Sequence, residues 1–117
     1  KKNFINDMIN EEFLDYTHYR SVFQFYYLEH LWSDIRTALN NNLKLLNITS
    51  EPIKAGELVR RCFHQEFKNT TDKPPAHYDV RSRYDHLYGG DNGYIYFKED
   101  VVADLKNYLQ KIDYRID

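Results

Sequence analysis

The chain has 117 residues, a length that fits one domain or part of one, with a core that is small but sufficient to fold. Sixteen basic and 18 acidic residues leave a formal net charge of −2, so there is no electrostatic footprint for nucleic acid or an anionic membrane. A single cysteine excludes an intrachain disulfide and a thiolate zinc site, and fits a reduced cytoplasmic setting.

Phe4, Ile5, Met8, Ile9 and Phe13 recur at helical spacing and predict a helix over 3–13. Residues 16–20 read as loop, and "SVFQFYY" at 21–27 reads as a strand, being aromatic and β-branched. The clearest periodicity follows. Leu28, Leu31, Trp32, Ile35 and Leu39 form one apolar stripe, with Glu29, Ser33, Asp34 and Arg36 off it, so 28–40 is expected to be a helix burying that stripe. Asn40, Asn41 and Asn42 end it, because Asn tolerates a left-handed backbone. "LKLLNIT" at 43–49 is a buried-strand candidate.

Ser50 fits an N-cap and Pro52 a first helical turn, introducing an amphipathic helix with Ile53, Leu58, Val59, Cys62 and Phe63 inward. Cys62 is expected to be a small buried hydrophobe. Residues 68–76 are loop, held extended by Pro74 and Pro75. Gly89, Gly90 and Gly93, with Asp91 and Asn92 between them, spell a turn. Tyr94 to Phe97 favour a short strand, and the last helix is expected over 98–112. Alternating strands and helices imply an α/β fold with a right-handed β–α–β unit across 21–49. Two or three short strands make a poor parallel sheet, so the chain reads as the end of a larger α/β protein.

Chemistry-bearing motifs are few. No Gly-rich dinucleotide or phosphate loop occurs, and none of the five histidines forms a zinc-binding helical pair. Tyr94 and Lys98 match the spacing Tyr-x-x-x-Lys, which works catalytically when both residues share a helix face. Here the first follows a glycine turn and the second opens a helix, so the match is expected to be structural. "HYDVRSRYDH" at 77–86 is richer. Arg81 and Arg83 could grip a diphosphate or carboxylate, or pair internally with Asp79 and Asp85.

Three stretches in order, "FQFYYLEHLWSDI" (23–35), "KLLNITSEPIKAGELVRRC" (44–62) and "YDVRSRYDHLYGG" (78–90), resemble the C-terminal part of nucleotide-sugar epimerases and dehydratases of the extended short-chain dehydrogenase family. The resemblance implies a single C-terminal substrate-binding domain over 1–117, with the NAD-binding domain and catalytic Tyr/Lys helix upstream. It implies NAD as cofactor of the intact parent, a nucleotide-sugar substrate, and no cofactor or activity for this chain alone. The family's basic contacts to the diphosphate have no counterpart at Phe23 or near Ala76, which leaves Arg81 and Arg83 as candidates, with Gln24 and Tyr27, for substrate contact. The reading from composition differs in class. Eleven tyrosines would equip a small stand-alone α/β module to dock a protein partner or a second copy of itself.

Overall fold

The computed structural model describes residues 3–43 and 47–115. They form a small mixed domain of four α-helices and a two-stranded antiparallel sheet. Helix α1 spans Phe4–Asn10. Asn3 caps it, its Oδ1 accepting the Ile5 N–H at 2.8 Å and the Asn6 N–H at 3.4 Å. The helix stops short of the expected residue 13 because Glu11 turns left-handed, at φ 54°.

Strand β1 is Val22–Phe23, and β2 is Ile53–Lys54. Val22 faces Lys54 and Phe23 faces Ile53 in an antiparallel register. This corrects the expected β–α–β unit, since β1 takes β2 rather than a parallel strand at 43–49 as its neighbour. Residues 44–46 lie outside the described residues, and the rest of that stretch forms no strand. The other edge of β1 meets the chain at His77 in a single parallel bridge. The expected strand at 94–97 likewise reduces to isolated bridges, Tyr96 with Ser50 in parallel and Tyr94 with Asp91 antiparallel.

Helix α3 runs Ala55–Phe63. Ser50 does not cap it. The Ala55 and Gly56 N–H groups donate instead to Ser21 O at 2.8 Å and Tyr19 O at 3.0 Å, so the 19–21 loop supplies the missing acceptors. A Cβ on Gly56 would stand 3.3 Å from Tyr19 O, which explains the glycine there. Helix α4 spans Lys98–Lys111, with the Asp100 carboxylate accepting the Phe97 N–H at 2.8 Å.

The core lies between α3 and α4. Leu58, Val59, Cys62 and Phe63 pack with Val102, Leu105 and Leu109, and Phe4 and Met8 of α1 close one side. Burial pushes the Cys62 thiol up to about 11, as suits an unreactive core residue. The remaining helix, α2, spans Leu31–Asn40 and is preceded by a 3-10 turn, Leu28–His30. Its limits agree with the periodicity, and Asn42 adopts a left-handed backbone just beyond it.

Candidate functional site

Helix α2 faces the opposite way from the sequence expectation. Leu28 is 74% exposed, Trp32 70%, Leu39 67% and Ile35 36%, while Asp34 is only 4% exposed. Of the residues read as polar, Asp34 alone turns inward while Glu29, Ser33 and Arg36 are exposed, and Leu31 of the expected stripe is half-buried. Asp34 is held there by phenols. Tyr26 Oη donates to Oδ2 at 2.6 Å, and Tyr96 Oη lies 2.9 Å from Oδ1 and 2.8 Å from Oδ2. Tyr88 Oη donates to the Asp34 carbonyl at 2.9 Å. Three phenols from three chain segments thus bind one helix through one residue. Burial raises the titration of Tyr26 and Tyr96 far above the ordinary phenol value, and their hydrogen bonds to Asp34 raise it further. Both remain donors at any physiological pH.

The outer face is an apolar ridge. Leu28, Trp32, Ile35 and Leu39 are spaced four, three and four residues apart, so they line up along one side. Such a row on a small domain is an interaction surface by its composition, since single exposed hydrophobics are ordinary but an aligned set with a tryptophan is not.

Beside the start of α2 lies a cleft of about 350 Å³, between the 25–30 segment, the first turn of α1, Tyr96 and α4. His30 and Asp104 meet across it, Nε2 to Oδ2 at 2.8 Å. The imidazole stacks on Tyr96, with centroids 4.8 Å apart and planes at 19°. Tyr27 stands edge-on to the same ring at 5.4 Å. Its phenol donates to Glu29, which also receives Lys111 Nζ at 3.1 Å. The Tyr27 hydrogen bond, then Lys111, holds the Glu29 carboxyl below its usual range.

The four residues singled out for substrate contact are dispersed. Tyr27 lines the cleft. Gln24 is a clamp between backbones, with Nε2 donating to Ser50 O at 2.8 Å and Val80 O at 2.7 Å, and Oε1 accepting the Val80 N–H at 2.8 Å. Arg81 pairs with Asp79 at 3.1 Å and lies over the Tyr94 ring at 5.0 Å, the internal pairing weighed from the sequence. Arg83 is exposed and has no hydrogen bond or ion pair among the described residues. Asp85 turns instead to the Gly93 N–H at 3.0 Å. Tyr94 and Lys98 are no pair, since the Tyr94 phenol donates to Asp79 and Lys98 Nζ reaches Glu57 at 3.2 Å.

Sequence reasoning passed over Asp34, His30 and Asp104. The usable signal was a lone carboxylate at the middle of a helix in a chain rich in tyrosine donors. No family model, curated protein or solved structure matches the chain. Among the described residues, no group of His, Cys, Asp and Glu could hold a metal, and no helix is long and apolar enough to cross a membrane.

Proposed function

We propose that the chain is a protein-interaction module whose α2 ridge pairs with the same ridge of a second copy. The observation that carries this reading is the outward-facing row Leu28, Trp32, Ile35 and Leu39. The spacing is that of two heptads of a helical seam. When two such helices are laid antiparallel about a two-fold axis near Ser33 and Asp34, Leu28 of one copy meets Leu39 of the other, and Trp32 meets Ile35. The row is self-complementary, as an isologous contact requires. Glu29, which its own Lys111 already pairs, and Arg36 flank it on one side with opposite charges, so Arg36 of one copy faces Glu29 of the other across the axis. Arg36 makes no ion pair within the chain among the described residues. The docking surface is thus leucine and tryptophan, whereas several tyrosines turn inward to Asp34.

Sedimentation velocity over a concentration series tests this. The expected result is a monomer–dimer equilibrium that Trp32→Glu shifts wholly to monomer. A wild-type chain that stays monomeric at every concentration overturns it.

A second reading is the substrate-binding portion of an NAD-dependent nucleotide-sugar epimerase or dehydratase-like parent, inactive alone. It is supported by the order of the sequence motifs and by Arg83, whose exposed guanidinium has no ion-pair partner among the described residues and suits a diphosphate. It predicts no NAD(H) binding by the isolated chain in a fluorescence titration, and tight stoichiometric binding would sink it.

A further inference from the structure

Apart from Leu28 and Glu29, which the ridge and its flank also use, the cleft beside α2 has wall chemistry that ridge pairing leaves free. Phe25, Tyr26, Tyr27, Tyr96 and Tyr108 contribute aromatic surface to it. Asp104 and Glu29 contribute carboxylates, and among the described residues no lysine or arginine lines it. Lys111 offsets Glu29 at the rim. Asp104 has only the His30 imidazole as a partner among the described residues.

A further feature lies behind the wall. Tyr26 and Tyr96 both donate their phenol protons to the Asp34 carboxylate. Hydrogen bonding to an anion pushes electron density into a phenol ring and makes its face more negative. Two of the wall rings are therefore biased toward cations by a buried group that never touches the ligand. Aromatic faces and the Asp104 carboxylate together favour a bulky, weakly hydrated cation. The volume falls in the range of small-ligand sites, although at its lower end.

We propose that this cleft binds an organic ammonium ion of the methylated class, with the methyl groups against the tyrosine faces and the charge toward Asp104. A simple metal cation is disfavoured there, because aromatic faces offer no oxygen shell in place of its water.

The probes are choline and 3,3-dimethylbutan-1-ol, which share a shape and differ in charge. Isothermal titration of the full chain is expected to give one choline site, with the alcohol at least about tenfold weaker. Equal binding of the two, or no saturable choline binding, overturns the proposal. Tyr108→Leu keeps apolar bulk but removes one aromatic face, and Asp104→Asn keeps shape but removes the charge. Each is expected to weaken choline by about tenfold. Circular dichroism identifies a variant that has not folded, and the other then decides. Choline binding that survives unchanged in a folded variant places the cation elsewhere and overturns the assignment. Trp32→Glu is expected to bind choline normally, so loss of ridge pairing and loss of the cation site are separable results.

Discussion

Helices α2 and α3 are nearly equal in length, ten and nine residues, and both are amphipathic, yet they bury opposite kinds of face. The apolar side of α3 meets Val102, Leu105 and Leu109 of α4, and its Leu58, Cys62 and Phe63 are fully buried. The apolar side of α2 leaves Leu28, Trp32 and Leu39 each more than half exposed, and the helix is fixed from the other side by tyrosine hydroxyls on Asp34. An apolar stripe thus says that a helix has something to bury, and only the neighbouring elements decide whether this chain supplies the cover. The energetics differ accordingly. A buried side chain such as Phe63 contributes about 1.5–3 kcal/mol from area alone, whereas a hydrogen bond nets about 0.5–1.5 kcal/mol after exchange with water.

The largest expected effect comes from breaking the α3 side. Phe63 packs edge-on against Tyr114 at 5.4 Å and is 1% exposed. Phe63→Ala should cost about 3–5 kcal/mol in urea unfolding and lower the midpoint for the whole domain. A loss below about 1 kcal/mol would show that α3 and α4 do not form the cooperative core. Next comes the α2 side. Asp34→Ala strands the Tyr26 and Tyr96 hydroxyls and should cost about 1–3 kcal/mol. Hydrogen exchange sharpens the contrast. Amides of α2 should lose protection while those of α3 and α4 keep theirs, because α2 is attached by a separable polar contact. Uniform loss across all helices would remove the distinction between the two regions.

Much of the α3 side was legible in the sequence. The last helix was expected over 98–112 and runs Lys98–Lys111, and Cys62 is buried as its position on an apolar face implied. The glycine turn is equally local. Gly89 and Gly93 take positive φ, and a Cβ on Gly90 would fall 1.9 Å from Tyr94 O. What escaped depends on partners distant in sequence. β1 pairs with β2 some 30 residues on, and that pairing leaves most of the expected strand at 21–27 unpaired. Asp34 draws its donors from positions 26, 88 and 96, which no helical period can report. Of the four residues singled out for substrate contact, one, Tyr27, lines the cleft, but Gln24 and Arg81 are consumed by backbone and Asp79 contacts.

The loop from Asp79 to Tyr94 gives a smaller, acid-dependent effect. Arg81, then the Tyr94 phenol, holds the Asp79 carboxyl below its usual range, and the Gly93 N–H does the same for Asp85. A carboxylate whose folded pKa lies below its unfolded value of about 3.9 stabilises fully above that value. The contribution is lost as pH falls through the folded pKa. The protection of the Gly93 amide, relative to its intrinsic exchange rate at each pH, should therefore fall below about pH 4 and be flat above about pH 5. Asp85→Asn should remove that step while leaving α3 and α4 untouched. A Gly93 amide equally protected across the acid range would show that the carboxylate does not hold the turn.

The smallest expected change in fold stability is the most telling for the comparison. Trp32→Glu replaces the largest side chain of the ridge with a charge, which would be ruinous on the apolar side of α3. On α2 the position is 70% exposed in the single chain, so the monomer loses little by the change. Urea unfolding at low concentration should agree with wild type within about 0.5 kcal/mol. At high concentration the wild type alone should gain stability, because pairing through the ridge removes folded monomer from the unfolding equilibrium. Stability that rises with concentration in both proteins would mean that copies associate through another face. A large loss in the dilute variant would mean that Trp32 is covered within its own chain, and the difference between the two helices would vanish.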